Sequence, residues 1–117
     1  MINYISDFHT SAKRVAELEK VGLDMVWVAE AYSYDAISQI GYLAAVTERV
    51  QIGTGIINVF SRTAALTAMT AAGCDYVSNG RFVLGLGASG PQVIEGFHGV
   101  PYEKPMQRTK EYIEVCR

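Results

Sequence analysis

Residues 80–90 read Gly-Arg-Phe-Val-Leu-Gly-Leu-Gly-Ala-Ser-Gly, and this stretch decides between the folds open to the chain. It begins as a short apolar run of strand length and passes directly into a turn of glycine and other small residues. The backbone of such a turn can approach a phosphate or a cofactor closely, because no bulky side chain intervenes. Gly85, Gly87 and Gly90 also match the dinucleotide-binding pattern G-x-G-x-x-G.

Outward from this stretch, strand patterns alternate with helix patterns. Continuous apolar or β-branched runs predict strands at 25–29, 50–57 and 82–86, after a short apolar segment at 2–5 that could end an earlier strand. Helical spacing of apolar residues predicts helices at 8–21, 35–47, 63–77 and 105–117. The helix at 63–77 is apolar nearly all round, which predicts packing on several sides. Strands that are apolar on both faces and alternate with helices are typical of a parallel sheet covered by helices. The fold class is therefore α/β, either a doubly wound open sheet or a (β/α)₈ barrel.

Composition excludes several classes of partner. The chain has 117 residues, is 50% hydrophobic and carries a formal net charge of −2, with no cluster of lysine and arginine. This indicates one small domain that binds neither nucleic acid nor an anionic membrane surface. No apolar run is long enough to span a bilayer. Cys74 and Cys116 lack metal or redox spacing, which predicts a reduced cytoplasmic protein without a metal site.

The dinucleotide pattern fits its surroundings poorly. A genuine fingerprint opens a helix at once and has an acidic residue about 20 positions later, at the end of the next strand. Here Pro91 follows the last glycine, residues 91–104 are predicted to form a long loop, and Glu103 lies inside that loop. The pattern also follows the fourth predicted strand rather than the first. The open nucleotide-binding sheet is therefore the less favoured alternative.

The same segments carry a family resemblance that runs along essentially the whole chain. The segments that carry it are Val-Trp-Val-Ala-Glu-Ala-Tyr (26–32), Glu-Arg-Val-Gln-Ile-Gly-Thr-Gly-Ile (48–56), Arg62-Thr63 with the alanine-rich helix, and residues 80–93. In these segments the chain resembles the luciferase-like monooxygenase superfamily, and most of all its actinobacterial branch that uses the deazaflavin coenzyme F420.

The resemblance implies a (β/α)₈ TIM barrel of the bacterial luciferase-like type. A full barrel takes roughly 200 residues or more, so this chain would supply the N-terminal half, about four β/α units. We expect residues 1–117 to form a partial barrel domain that is truncated at the C-terminus and clipped in strand one.

The resemblance also implies an activity. The full-length protein is expected to be an oxidoreductase that transfers a hydride between coenzyme F420 and a small organic substrate, and to be a homodimer. One alternative is an FMN-dependent monooxygenase of the same fold, with FMN as the cofactor. A second alternative is a non-catalytic fragment or structural piece that is inactive alone.

Three positions after the second and third predicted strands match cofactor-binding positions of the family. The resemblance implies that Glu30 lies beside the deazaflavin ring, although a helix-capping carboxylate is the structural alternative. It implies a non-proline cis peptide between Gly55 and Ile56, forming a bulge that backs the ring. Asn58 would offer its amide to the pyrimidine edge of the ring, or be an ordinary turn asparagine.

The turn after the fourth predicted strand completes the expected cofactor surface. Backbone amides of Gly87, Ala88, Ser89 and Gly90, with the Ser89 hydroxyl, would meet the ring or its side chain, or form only a tight turn. No catalytic residue is assigned, because Ala31 and Gly90 occupy the positions where sugar-phosphate dehydrogenases of the superfamily carry a histidine and a glutamate.

Four further residues are given mainly structural roles. Trp27 and Cys74 are predicted to lie in the core. His98 is read as structural rather than as part of a substrate pocket. Arg62 is expected either to pair with an anion or to cap the following helix.

Overall fold

The computed structural model describes residues 7–117. The helices are α1 (Phe8–Lys20), α2 (Ala36–Val46), α3 (Ala64–Val77), α4 (Pro91–Ile94) and α5 (Pro105–Cys116). The strands are β1 (Met25–Val28), β2 (Gln51–Thr54), β3 (Ile57–Asn58), β4 (Phe82–Val83) and β5 (Leu86–Gly87). The alternation of strands and helices predicted from the sequence is confirmed for these residues, whereas the predicted segment at 2–5 lies outside them.

The strands form two parallel sheets in which chain order is kept. The order in the larger sheet is β1-β2-β4, and β3 pairs with β5 in the smaller one. A doubly wound sheet reverses its strand order at a switch point, and the described strands contain no such reversal. Two predicted strands are each divided, because the cis peptide Gly55–Ile56 separates β2 from β3 and two residues separate β4 from β5.

Side-chain caps fix where the first three long helices begin. The side chains of Asp7, Asp35 and Thr63 accept hydrogen bonds from the backbone N–H groups of Thr10, Ser38 and Leu66, respectively. Each cap provides a partner for an N–H that has none within its helix. The predicted cap at Asp7 is confirmed, and α1 ends two residues before Gly22, whose φ is +103°.

The main core lies between the helices and one face of the larger sheet. Val28, Ile40, Leu43 and Ile52 are 0% exposed there. Trp27 was predicted to be a core residue, and that prediction is wrong for this structure, because Trp27 is 37% exposed. Neighbouring residues of a strand point to opposite faces, so the burial of Val28 on the helix side places Trp27 on the other side.

Two helical predictions need correction. Of the α3 side chains only Thr67 and Cys74 are buried, while Met69 is 71% and Tyr76 84% exposed. Although α2, β4 and α5 contact α3, most of its side chains stay outside these contacts, so the extensive packing predicted for α3 is wrong for the described residues. The predicted loop at 91–104 also contains α4, whose Ile94 is 0% exposed and packs in a second core cluster.

Candidate functional site

The carboxyl ends of the strands bring the two glycine-containing loops side by side. The peptide bond between Gly55 and Ile56 is cis, as expected from the family resemblance. The Val59 N–H donates to the Gly87 carbonyl at 3.1 Å, which joins β3 to β5 directly beyond this bond. A Cβ atom on Gly87 would lie 2.8 Å from Cδ1 of Ile56, so the two residues are in direct contact.

Two glycines of the dinucleotide-like pattern lie close to residues of the preceding loop and strand. A Cβ atom on Gly85 would lie 1.9 Å from the backbone oxygen of Thr54, closer than any side chain can come. The Thr54 hydroxyl accepts from the Gly85 N–H at 2.8 Å and donates to the Gly85 carbonyl at 2.9 Å. A Cβ atom on Gly87 would meet only the flexible end of the Ile56 side chain, which can move, so the fold itself requires glycine at 85 and only favours it at 87.

A residue of the segment that precedes α5 hydrogen-bonds to the small-residue turn after β5. Ser89 is exposed and has a φ of +58°, a left-handed conformation that is uncommon outside glycine. The Tyr102 hydroxyl donates to the Ser89 carbonyl at 3.0 Å, and the Tyr102 N–H donates to Oε1 of Glu95 at 3.0 Å. Gly90 is the residue before α4. The turn is therefore braced by a residue that is distant in sequence.

Glu30 forms a nearly buried ion pair. Arg62 donates from both terminal nitrogens to the Glu30 carboxylate, at 2.6 and 2.9 Å, and these side chains are 15% and 10% exposed, respectively. The same carboxylate accepts from the Ala36 N–H at 2.8 Å, at the start of α2. The hydrogen bonds from Arg62 to Glu30 raise the pKa of the guanidinium. Glu30 thus caps a helix, and Arg62 pairs with an anion, which was one of its two predicted roles.

Asn58 lies at the centre of the loop after β3 and is 2% exposed. Its Oδ1 accepts from the N–H groups of Phe60 at 3.0 Å and Ser61 at 2.8 Å, an arrangement typical of an asparagine turn. Its Nδ2 lies 3.5 Å from Nε2 of His98. The carboxamide oxygen is therefore occupied within the protein, and the amide nitrogen faces the histidine.

His98 joins the site although sequence reasoning gave it a structural role. It lines a polar cleft of about 270 Å³ together with Glu30, Ala31, Ser61, Arg62 and Phe97. Asn58 and His98 are 40 positions apart in the sequence, so no local pattern reveals this contact. The nearest signal is the Gly-Phe-His-Gly sequence, in which Gly99 has a φ of +67° and lets the chain reverse after the histidine.

Other chemistry-bearing groups lie apart from the cleft. Cys74 is buried in the main core as predicted, and burial raises the pKa of its thiol. In residues 7–117 no three histidine, cysteine or acidic side chains converge as a metal site would require. None of the helices in that range is long and apolar enough to cross a membrane.

The fold and the site together define the architecture of a β/α barrel with its loops gathered at the carboxyl ends of parallel strands. The sequence model of the luciferase-like monooxygenases matches residues 1–117. The chain belongs to this family.

Individual relatives agree with this assignment. The chain is 44% identical over 106 residues to a protein of Mycobacterium tuberculosis whose name assigns it to the coenzyme F420-dependent oxidoreductases; the match covers 91% of this chain and 30% of the relative. It also resembles the structure of an F420-dependent secondary alcohol dehydrogenase in complex with an F420-acetone adduct. The TM-score is 0.82 at 25% identity, over 96% of this chain and 38% of the other.

An FMN-containing neighbour shares the fold. The oxygenating constituent of 3,6-diketocamphane monooxygenase from Pseudomonas putida, solved in complex with FMN, superposes with a TM-score of 0.80 at 18% identity, over 93% of this chain and 32% of the other. The chain thus spans about a third of the length of the relatives it matches.

Proposed function

We propose that the protein to which this chain belongs transfers a hydride between coenzyme F420 and a small organic substrate. The observation that carries the proposal is the contact between the Gly55–Ile56 bulge and Gly87 at the carboxyl edge of the strands, in a chain of this family. The 44% identity to a relative named as F420-dependent supports the choice of cofactor.

The residues at this edge fit a planar ring. Gly55, Ile56, Gly87 and Ala88 are small or apolar and partly exposed, which leaves a surface for one face of such a ring. Ser89 and Gly90 continue this surface with backbone amides and a hydroxyl for polar parts of the cofactor. F420 bound there would supply the hydride chemistry, while the protein would fix the ring and keep water from one face.

Glu30 and Asn58 complete the proposed cofactor-binding set by holding the adjoining loops. Glu30 fixes Arg62 beside the cleft, and Asn58 fixes the backbone at Phe60 and Ser61. The oxygen atoms of both residues already accept hydrogen bonds within the protein. We therefore expect Glu30 and Asn58 to act indirectly, by fixing the loops that border the ring.

A second candidate function is an FMN-dependent monooxygenase, favoured by the fold shared with the FMN complex from Pseudomonas putida. The deciding experiment is anaerobic reduction and turnover of the full-length protein with reduced F420 and, separately, with reduced FMN. We expect oxidation of F420H₂ or reduction of F420 in the absence of oxygen. Turnover only with FMN and oxygen would refute the F420 proposal, and binding of neither cofactor would support an inactive structural piece.

A variant of the turn tests where the cofactor binds. Ser89→Leu replaces an exposed side chain of the proposed cofactor surface by a bulkier one and should weaken cofactor binding about tenfold or more. Ala65→Leu, at an exposed position on α3, is the matched control and should leave binding unchanged. Equal affinity in both variants, with unchanged melting temperatures, would contradict the proposed location.

The cellular compartment and the oligomeric state are proposed on separate grounds. Both cysteines are unpaired, which suits a reducing compartment such as the cytoplasm. Exposed Met69 and Tyr76 on α3 leave apolar surface that a second subunit of a homodimer could cover. Sedimentation of the full-length protein tests the second proposal, and a monomer at micromolar concentration would contradict it.

A further inference from the structure

The orientation of the Asn58 carboxamide is fixed by its surroundings. Oδ1 accepts two backbone N–H groups, at 2.8 and 3.0 Å, which only an oxygen can do. The atom facing His98 is therefore the nitrogen, Nδ2, 3.5 Å from Nε2 of the ring.

This orientation determines which nitrogen of His98 carries the proton. An amide NH₂ group only donates, so Nε2 has to present its lone pair. The ring is then neutral, and its single N–H is at Nδ1. Within residues 7–117 the Nδ1 edge has no hydrogen-bond partner, and His98 lines the polar cleft. The Phe97 ring, with its centroid 5.1 Å away, packs edge-on against the imidazole.

We propose that His98 contacts the ligand, with its Nδ1–H donating a hydrogen bond to an uncharged carbonyl oxygen in the cleft. This inference rests on the proposed function, since it places the ligand of that oxidoreductase in this cleft. It gives a ligand-binding role to a histidine for which the sequence favoured a structural one.

The charges of the cleft indicate a neutral acceptor. Glu30 and Arg62 compensate each other, which leaves the Asp35 carboxylate as the unbalanced charge among the lining groups. An anionic ligand would be repelled there, and a cation offers no acceptor for an N–H donor. A ketone or aldehyde substrate and the carbonyl groups of a deazaflavin or flavin ring share the required chemistry.

Nitrogen NMR tests the tautomer without reference to activity. In protein labelled with ¹⁵N-histidine, at a pH where the rings are neutral, we expect the His98 proton at Nδ1. His9 at the exposed start of α1 provides an internal reference. Asn58→Asp keeps an oxygen for the two backbone donors but turns a second oxygen toward Nε2, so the proton should move to Nε2. A proton at Nε2 in the unchanged protein, or no movement in the variant, would overturn the inference.

Binding measurements test the ligand role and identify the source of the carbonyl. His98→Leu removes the donor and should weaken binding about two- to tenfold, the range for one neutral hydrogen bond. His98→Asn places an amide N–H near the position of Nδ1 and should recover part of the loss. A loss in cofactor affinity without substrate identifies a ring carbonyl, whereas a raised KM with unchanged cofactor affinity identifies a substrate carbonyl.

The outcomes separate this inference from the proposed function. Unchanged cofactor affinity and unchanged KM in His98→Leu would overturn the ligand role of His98 alone. An unchanged protein that binds neither F420 nor FMN would contradict the proposed function, whatever tautomer the NMR spectrum shows.

Discussion

Neutralising Glu30 should destabilise the protein, because the substitution leaves the Arg62 charge without a partner in a nearly buried place. Glu30→Gln keeps one carbonyl oxygen, which can serve either the Ala36 N–H or one guanidinium N–H. The present carboxylate serves all three donors, at 2.6 to 2.9 Å. The side chains of the pair are only 10% and 15% exposed, so water replaces little of what is lost.

The magnitude follows from this burial. Removing one partner of a fully buried ion pair costs about 3–5 kcal/mol. Allowing for the exposed fraction, we expect Glu30→Gln to lower the free energy of unfolding by about 2–3 kcal/mol. Arg62→Gln should cost about 1–2 kcal/mol, because the carboxylate keeps the Ala36 N–H as a donor. In the double variant two neutral amides face each other, so the coupling energy should be about 1–2 kcal/mol.

The assay is urea unfolding of the full-length protein and the three variants, with Glu17→Gln on the exposed side of α1 as a charge control. The control should change the free energy of unfolding by less than about 0.5 kcal/mol. A coupling energy within error of zero would refute the reasoning. Cofactor titration adds a second readout: if affinity recovers with stability in the double variant, Glu30 acts through the loop it holds. If affinity stays low, the carboxylate itself meets the cofactor.

Three further predictions concern parts of the fold that support the site. Burial raises the pKa of Glu19, but hydrogen bonds from the backbone N–H groups of the three residues just before β2 outweigh this and lower it below 4.5. The ionised Glu19 should therefore contribute its full stabilisation above pH 4.5, and this contribution should be lost as the pH falls through the lowered pKa. Glu19→Gln should make the free energy of unfolding less dependent on pH in the acid range, and an unchanged pH dependence would contradict this. Gly85→Ala should lower the free energy of unfolding by more than about 3 kcal/mol, since its Cβ atom would lie 1.9 Å from a backbone oxygen. Gly73→Ala on α3 meets nothing within 4 Å and should stabilise the protein by about 0.5–1 kcal/mol. Similar melting temperatures for the two variants would contradict the packing argument. Tyr112→Phe removes the hydroxyl that donates to the Arg62 carbonyl and should cost about 1 kcal/mol in urea unfolding, with no cost if that bond contributes nothing.

The parts of the fold that sequence predicted best are those governed by local chemistry. A capping carboxylate at Asp7 and helical spacing of apolar residues act over a few positions, so the limits of α1 and α2 are close to those expected. Trp27 was misplaced because an apolar run does not tell which strand face receives the helices. The exposure of α3 was missed because composition cannot say how many neighbours a helix meets.

The candidate site was predictable where it consists of backbone and not where it depends on distant side chains. The family resemblance led to the cis bond at Gly55–Ile56, which the structure contains. The pairing of Glu30 with Arg62 spans 32 residues, and the contact of Asn58 with His98 spans 40. Contacts of this length follow from the order of strands in the sheet, which no motif encodes.

The glycine pattern in residues 80–90 therefore has two causes that experiments should keep apart. Gly85 is small because the backbone of Thr54 approaches it, so substituting this glycine would alter stability and any ring surface together. Ser89 already carries a side chain and is exposed, so a larger side chain there can report on ligand binding. Loss of cofactor affinity in a Gly85 variant would thus say little about contact with the ring, whereas the same loss at Ser89 with an unchanged melting temperature would locate the ring at this turn.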